Sequence, residues 1–213
     1  MLGPLLFLIF INDIVHSIAS VIKLFPDDTS LSFGHTNPDI RTETLTHDLA
    51  KLSEWAKLWK VKFNEIKTEL TNIKRDTKPK HQLTFGNVVL EEKPHHKHLG
   101  ITLQNNCKWD EHISNLSSKV SLLINCLHHF KYKLSRKALE TMYKSFILQL
   151  FDNADIIWDN CTVVQSTSLE NLRLEALRII TGAVRGTNHQ QAYDESGFCT
   201  IKERRKRQID PVS

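Results

Sequence analysis

Cysteine and glycine are scarce in this chain of 213 residues, and no internal repeat or low-complexity tract is present. The four cysteines contain no Cys-x-x-Cys pair, and they are widely spaced, at Cys107, Cys126, Cys161 and Cys199. This spacing argues against a zinc module and against a disulfide-bonded scaffold, and it is typical of a reducing compartment. We therefore expect an intracellular protein, in the nucleus or the cytoplasm.

The sequence also lacks an apolar run long enough to cross a membrane. The run Leu5 to Ile11 is much shorter than the about 20 apolar residues that a spanning helix needs. It has the length of a signal-peptide core, but no Lys or Arg precedes it, and Asn12 and Asp13 end it. A buried helix is favoured over a secretory signal, and we expect no membrane partner.

The charge of the chain is mildly positive. Hydrophobic residues make up 40% of the sequence and charged residues 24%, which suits a folded globular protein, and the net charge of +4 is compatible with nucleic acid without being diagnostic. Basic residues concentrate in two segments, Lys57 to Lys80 and Lys202 to Arg207. Each segment is compatible with a solvated face or a phosphate-binding surface, and the second also with a nuclear-import signal.

Histidine is abundant, with eleven residues. One group could be imagined as a metal site, namely His95, His96, His98, Cys107 and His112. Its spacing matches no standard zinc pattern, so a metal site there is the less favoured interpretation.

The first half of the chain mixes helix and strand patterns without regular βαβ spacing, which predicts an α+β fold with an antiparallel sheet. Leu5 to about Ser17 predicts a buried helix, because the segment is apolar nearly all round. Asn37 and Pro38 begin a second predicted helix, which carries an apolar stripe as far as Trp59. The predicted strands are Ile22–Phe25, Leu31–Phe33, Val61–Phe63, Leu70–Lys74, Leu83–Phe85, Val88–Leu90 and His98–Leu103.

After about Gln104 the pattern becomes helical. Apolar residues recur at steps of three and four from Ile113 to Phe130, and Ser135 can cap a further helix. A third helix is predicted from about Ser168 to Thr181, ended by Gly182. The sequence thus predicts two domains, residues 1–104 and residues 105–213.

Two adjacent acids, Asp27 and Asp28, directly follow the apolar segment Val21 to Phe25 and Pro26. Neighbouring side chains on a strand point to opposite faces, so the two carboxylates can converge only where the chain turns. Paired acids at such a turn can hold a divalent metal beside phosphates. An isolated Asp-Asp pair is also ordinary turn chemistry.

The order of the surrounding motifs resembles the reverse transcriptase of non-LTR (LINE-type) retrotransposons. Residues 2–14 (LGPLLFLIFINDI) resemble the end of motif B, and residues 25–28 (FPDD) resemble motif C. Residues 63–68 (FNEIKT) resemble motif D, and residues 96–103 (HKHLGITL) resemble motif E. Residues 156–159 and 176–182 match segments common after the palm. The resemblance implies a partial polymerase palm followed by a mainly helical, thumb-like domain.

The resemblance also implies roles for particular residues. Asp27 and Asp28 would be catalytic ligands of Mg²⁺, and Lys67 would protonate the pyrophosphate or neutralise its charge. Contacts to an RNA template and a DNA primer would involve Gly3 and Pro4 beside the templating base, and Leu99 and Gly100 in a hairpin that grips the primer.

Two departures from the family pattern argue against polymerase activity. The fingers and the motif A aspartate have no counterpart in this sequence, and Pro26 stands where the family usually carries Ala. Proline fixes φ and cannot adopt the positive φ of a tight II′ turn. We therefore expect a reverse-transcriptase-like fragment that is inactive alone, and the alternative is a non-catalytic nucleic-acid-binding remnant. Without fingers to cover Leu5 to Ile11, self-association through that end is expected.

Overall fold

The computed structural model describes residues 2–16, 18–25, 28–73, 82–184, 186 and 188–209. The chain forms two compact units, Met1–Pro94 and His95–Ser213. Both contain helices, and the strands of the described residues pair as three two-stranded antiparallel sheets. The α+β class predicted from the sequence is confirmed, whereas a polymerase palm and thumb stay a prediction.

The first unit is built from two helices and two hairpins, as far as the structure describes it. In chain order its elements are α1 (Leu2–Asn12), a 3-10 turn (Asp13–Val15), β1 (Val21–Phe25), β2 (Asp28–Ser32), α2 (Pro38–Trp59), a 3-10 turn (Glu65–Lys67), β3 (Thr84–Phe85) and β4 (Val88–Val89). Its buried core consists of Ile14, Leu49, Leu52, Leu83, Phe85 and Leu90. The core therefore lies between one face of α2, the end of α1 and the second hairpin.

Strands β1 and β2 form an antiparallel hairpin that is paired along its whole length. The register joins Val21 to Ser32 at one end and Phe25 to Asp28 at the other. The sequence placed the second strand at Leu31–Phe33, which is too late, because pairing already begins at Asp28. The first residues of β2 are polar, so the sequence pattern did not indicate a strand there. Their backbone groups nevertheless pair with β1.

Helix α1 contradicts the prediction of a buried segment. It contains no buried residue, and the following 3-10 turn contributes only Ile14 to the core. The helix is held from one side, where the Phe10 ring lies 5.6 Å from Trp55 and 5.2 Å from Trp59, measured between centroids. The apolar composition of α1 predicted burial on all sides, but in the described residues only one side of the helix is packed against the rest of the unit.

Helix α2 begins as predicted. The Asn37 side chain accepts a hydrogen bond from the Asp39 backbone N–H at 2.8 Å, and Pro38 occupies the first turn. The helix ends at Lys60, which adopts a left-handed conformation with φ 57°. Because the Val61 N–H donates to Ala56 at this end, it is used by the helix terminus and not by a strand.

Two predicted strands are therefore wrong. Val61–Phe63 forms no strand, and Leu70 makes only an isolated parallel bridge to Glu92. Lys74, the last residue of the second predicted strand, lies outside the described residues. A pattern of only three to five residues predicts a strand weakly. Such a segment becomes a strand only where a neighbouring strand supplies the backbone hydrogen bonds.

Asp48 is fully buried and binds the segment that precedes β1. Its carboxylate accepts hydrogen bonds from the Ser20 N–H at 2.7 Å, the Ser20 hydroxyl at 2.5 Å and the Ala19 N–H at 3.1 Å. Burial by itself raises the pKa of Asp48, but the hydrogen bonds from Ser20 and Ala19 outweigh it and hold the pKa below its ordinary value of 3.8. This carboxylate fixes the start of the hairpin to α2.

The second unit begins with a hairpin of β5 (His95–His98) and β6 (Ile101–Gln104). The sequence predicted one strand from His98 to Leu103, which is wrong, because Leu99 and Gly100 form a two-residue turn with φ 48° and 90°. Positive φ at both positions is what a type I′ turn requires. The hairpin belongs to the second compact unit, which starts before the predicted boundary at 104.

The rest of the second unit is helical. Its helices are α3 (Asp110–Phe130), α4 (Arg136–Met142), a π-helical stretch (Tyr143–Leu148), α5 (Gln149–Asp152), α6 (Val163–Thr181), α7 (His189–Ser196) and α8 (Ile201–Ile209). Ser135 caps α4, and Gly182 ends α6 with φ 78°, both as predicted. Helix α6 begins earlier than the predicted Ser168, because Thr162 and Gln165 form a reciprocal capping box.

We predict that Asp48→Asn destabilises the first unit by about 2 to 3 kcal/mol at neutral pH, because hydrogen bonds to a buried charge are lost. Native-state hydrogen exchange of α2 amides measures this change. The exposed Glu54, changed to Gln on the same helix, is the control and should alter the opening free energy by less than about 0.5 kcal/mol.

The same carboxylate makes the stability of the unit depend on pH. A depressed native pKa contributes stability that is complete above the unfolded value of 3.8 and is lost as the pH falls below it. The difference in unfolding free energy between the parent chain and the Asp48→Asn variant should therefore decrease as the pH falls from about 5 to about 3. A difference that is constant over this range would show that Asp48 does not act through its charge.

Candidate functional site

The hairpin β1–β2 contains one described member of the predicted acidic pair. Asp28 is the first residue of β2, it is exposed, and it lies opposite Phe25 in the register. Asp27 and Pro26 lie outside the described residues. The pairing leaves two residues of sequence between the strands, which is the length of the shortest common hairpin connection.

The described residues do not complete a metal centre. Within them no group of three or more His, Cys, Asp or Glu side chains is arranged to hold a metal ion. A two-metal site needs several carboxylate ligands, and Asp28 alone supplies one. The predicted Mg²⁺ site at Asp27 and Asp28 therefore stays a prediction.

Lys67 is an exposed residue of the 3-10 turn Glu65–Lys67. Asn64 fixes this turn, because its side chain accepts a hydrogen bond from the Lys67 N–H at 3.2 Å and its backbone carbonyl accepts one from the Thr68 hydroxyl at 3.0 Å. Across the described residues no hydrogen bond or ion pair joins Lys67 to Asp28. The hydrogen bonds of Asn64 to Lys67 and Thr68 are sufficient to account for the Asn-x-x-Lys-Thr spacing. A catalytic role is not needed to explain it.

Glu65, in the same turn, lies against the tip of the hairpin β3–β4. A Cβ atom built on Gly86, which has φ 59°, would come within 2.2 Å of the Glu65 carboxylate. The positive φ favours glycine here, and a larger residue would also have to displace the end of the Glu65 side chain. The predicted Gly86-Asn87 turn is thereby confirmed and is connected to the motif D segment.

Gly3 and Pro4 lie in the first turn of α1 and are exposed. A Cβ atom on Gly3 would meet nothing within 4 Å. The described first unit therefore places no steric requirement on this glycine. Its predicted position beside a templating base stays a prediction.

Leu99 and Gly100 form the tip of the hairpin β5–β6, as the motif E resemblance implied for a hairpin in this region. A Cβ atom on Gly100 would approach the Asn153 side-chain nitrogen to 3.0 Å, so the tip leans on the segment after α5. The hairpin also contacts α3, since the Thr102 N–H donates to the His112 ring at 3.4 Å. The hairpin is thus in contact with α3 and with the segment after α5.

The histidine group is divided among different surroundings. The His95 ring lies 3.0 Å from the Glu111 carboxylate, whereas His96 and His98 lie side by side with centroids 6.0 Å apart. His112 is buried between Trp109 and Trp158. Burial, together with the charge of Lys119, lowers the pKa of His112 below its ordinary value. His112 therefore acts as a core residue.

The basic segment at the carboxyl end has partly a structural role. Arg204 donates two hydrogen bonds to the Asp152 carboxylate, at 2.5 and 2.7 Å. Arg205 is buried above the Trp158 ring, 4.0 Å from its centroid, and forms an ion pair with Asp159 at 2.6 Å. The two central arginines of α8 therefore anchor this helix to the segment 152–159, which sequence reasoning did not predict.

A basic and aromatic surface that sequence reasoning also missed lies at the α3–α4 connection. Its exposed members are Tyr132, Lys133, Arg136 and Lys137, next to the half-buried Lys131. Tyr132 is 86% exposed, and the Lys131 ammonium lies 5.5 Å from its ring centroid. Arg136 is engaged by Glu140 at 3.0 Å. We call these five residues the basic turn.

A lack of acidic residues in the sequence marks this surface. No Asp or Glu occurs between Glu111 and Glu140, and the intervening stretch carries five Lys or Arg residues. An acid-free stretch of this length produces a local positive potential although the net charge of the chain is small.

Comparisons with protein-family models, with curated proteins and with solved structures found no match to this chain. Among the described helices, none is both long and apolar enough to cross a membrane.

We predict that Gly100→Ala destabilises the second unit by about 1 kcal/mol or more, because φ 90° is strained for any side chain and the new Cβ would press on Asn153. Urea unfolding followed by circular dichroism measures the change. Gly3→Ala is the matched control, and it should be neutral or slightly stabilising, since its site is open and helical. Equal effects of the two substitutions would contradict the assigned turn.

Proposed function

We propose that this chain is part of a reverse transcriptase of the non-LTR retrotransposon type, an RNA-directed DNA polymerase by descent, comprising the end of the palm and the thumb-side helices. The observation that carries the proposal is the register of β1 and β2. Pairing of Phe25 with Asp28 leaves Pro26 and Asp27 as the only residues between the strands. Asp28 therefore begins the second strand of a hairpin, directly after a connection of two residues, and this position supports the motif C resemblance.

Other features support the same proposal without carrying it alone. The motif D segment forms a capped turn that exposes Lys67, and the motif E segment forms a hairpin with Leu99 and Gly100 at its tip. A mainly helical region follows this hairpin. Each of these features agrees with the order of elements that the resemblance implies.

The chemistry that the described residues can perform is limited. Mg²⁺ held by Asp27 and Asp28 would supply Lewis-acid activation of a phosphate. The described donors do not form a group that fits two metal ions, so we derive no nucleotidyl-transfer step from them. The proposal is therefore one of descent, with loss of activity in this chain.

We predict that the purified chain does not extend a DNA primer on an RNA template with either Mg²⁺ or Mn²⁺, because the described residues bring no group of carboxylates together that could hold two dications. Asp27→Ala and Pro26→Ala should leave this null result unchanged. Primer extension by the parent chain that Asp27→Ala abolishes would contradict the predicted inactivity and identify a complete site.

The proposed descent is tested by a longer polypeptide. If the genomic frame upstream of Met1 encodes fingers and a motif A aspartate, the joined polypeptide should extend primers. Asp27→Asn should then reduce the rate by at least about 100-fold, and Glu54→Gln, an exposed residue of α2 outside all the motif segments, should have little effect. An extending polypeptide that tolerates Asp27→Asn would disprove the assignment of motif C.

A second candidate function is favoured by the basic turn. Tyr132 offers an exposed ring for base stacking, and Lys131, Lys133 and Lys137 offer ammonium groups for phosphates. This combination is typical of surfaces that bind single-stranded nucleic acid without sequence preference. The chain would then be a non-catalytic nucleic-acid-binding protein.

We predict that the chain binds a single-stranded RNA oligonucleotide and that Tyr132→Ala weakens binding about 10-fold, because stacking of one base is lost. Changing Lys131 and Lys133 to Gln should reduce the slope of log K against log salt by about 1.4. Fluorescence anisotropy at several salt concentrations measures both effects.

The matched control for this prediction changes two exposed lysines elsewhere, Lys23 and Lys108, to Gln. It removes the same net charge but leaves the basic turn intact. An equal loss of affinity in both double variants would show that binding depends only on net charge and not on this surface.

A further inference from the structure

The chain folds back on itself at the end of α3. The Phe130 carbonyl accepts hydrogen bonds from the Lys133 N–H at 2.9 Å and from the Leu134 N–H at 3.0 Å. This turn brings the Lys133 side chain to the His129 ring, with Nζ 3.0 Å from Nε2. Both residues are exposed. We call these two residues the His–Lys pair.

The contact within the His–Lys pair has only one hydrogen-bonding arrangement. An ammonium group can donate but not accept, so Nε2 of His129 must be the acceptor, and the neutral ring carries its proton on Nδ1. A second proton on the ring would occupy Nε2 and leave two cations side by side. The contact therefore exists only while the imidazole is neutral.

The segment that carries the pair contains no acid. On α3 itself the acids are Asp110 and Glu111, at the opposite end of the helix and about 27 Å from His129 along its axis. The next acid in the sequence is Glu140. The titratable neighbours of the pair in sequence are His128 and Lys131. A proton gained by His129 is therefore not neutralised by the segment around it.

The acids on the elements packed against α3 are engaged or distant. These elements include α4, α5, α6, β6 and the π-helical stretch, and their acids are Glu140, Asp152, Glu170 and Glu175. Three have partners, namely Arg136 for Glu140, Arg204 for Asp152, and Tyr193 with Ile201 for Glu170. Glu175 lies beside Ser117 and Ser121, at least eight residues or about 12 Å before His129 along α3.

The remaining charged groups on these elements are cations, namely Arg136, Lys137, Lys144, Arg173 and Arg178. Lys133 itself belongs to the basic turn, beside the exposed ring of Tyr132. The positive charge of an imidazolium at His129 would therefore add to that of the basic turn. A phosphate oxygen placed between the ring and the Lys133 ammonium can accept charge-assisted hydrogen bonds from both.

We propose that protonation of His129 strengthens the binding of single-stranded RNA to the basic turn, so that the His–Lys pair makes this binding depend on pH. When the ring takes a proton from solvent, Nε2 changes from acceptor to donor and the Lys133 ammonium is released. One phosphate then bridges the two cations. Histidine suits this role because imidazole ordinarily titrates between about pH 5 and pH 8. The inference rests on the second candidate function, nucleic-acid binding by the basic turn, and not on polymerase activity.

The first test compares binding at about pH 8 and about pH 5.5, on either side of the ordinary histidine range. The probe is an oligouridylate, because its bases do not titrate over this range, and fluorescence anisotropy measures its affinity. At about 50 mM salt the parent chain should bind about 10-fold more tightly at the lower pH. The slope of log K against log salt should become steeper by about 0.7, the value for one added phosphate contact on a single strand.

His129→Gln should reduce this gain to about 2-fold or less, because the added contact is lost. The matched control is His189→Gln, an exposed residue of α7 in the same unit, which removes one titrating side chain outside the basic turn. It should keep the gain of the parent chain. Because His129 and His189 are both exposed, both variants should keep the circular dichroism spectrum of the parent chain.

A second measurement tests the His–Lys pair without RNA. Long-range ¹H–¹⁵N NMR at about pH 8 distinguishes the two neutral tautomers of a histidine ring. His129 should carry its proton on Nδ1, since Nε2 accepts from Lys133. A proton on Nε2 at this pH would overturn the proposed pair.

The binding results separate this inference from the function on which it rests. RNA binding that does not change with pH, or a gain that His129→Gln retains, overturns the inference and leaves the nucleic-acid-binding function standing. No binding of the oligouridylate at either pH overturns both. Binding to phosphatidylserine vesicles without binding to RNA also overturns both, and it would assign the basic turn to a membrane surface.

Discussion

The first unit depends on one buried carboxylate. Asp48 lies on α2, but all three of its hydrogen bonds go to Ala19 and Ser20, just before β1. A buried charge without those donors would be costly, so the segment 18–20 and the helix must keep this geometry for the unit to stay folded. The hairpin that carries Asp28 starts one residue after Ser20. The position of the candidate acidic site is therefore set by a group about twenty residues away in sequence.

The second unit also contains a buried charged side chain, which here is a cation. Arg205 is buried over Trp158 and between Asp155 and Asp159, at 3.4 and 2.6 Å. Burial raises the pKa of Asp155, while the nearby guanidinium opposes that rise. Removing Arg205 alone would leave a buried carboxyl without its cation, which is the costly case for buried ion pairs. Helix α8 is therefore part of the packed unit, and only its outer residues, such as Lys202 and Lys206, face solvent.

Features that depend on neighbouring residues were predicted from the sequence more successfully than features that depend on tertiary packing. Asn37, Ser135 and Gly182 act at helix ends as the sequence indicated, because caps need only neighbouring backbone groups. The exposure of α1 and the burial of Arg205 could not be predicted, since each depends on which distant segment packs there. The strand pattern missed the Leu99-Gly100 turn, which only the motif E resemblance implied, because a leucine with positive φ is uncommon. For the candidate site, the sequence located the hairpin of Asp28 but not the basic turn.

The missed basic turn shows how charge should be interpreted in this chain. Four consecutive basic residues, Arg204 to Arg207, drew attention in the sequence, yet two of them neutralise acids within the second unit. The basic turn has fewer adjacent cations, and Arg136 pairs with Glu140, but no acid occurs in the sequence between Glu111 and Glu140. Lys131 and Lys133 contact Tyr132 and His129 and no carboxylate within the described residues. Two cations of the terminal run are therefore neutralised within the second unit, whereas Lys131 and Lys133 keep their charge at the surface of the basic turn.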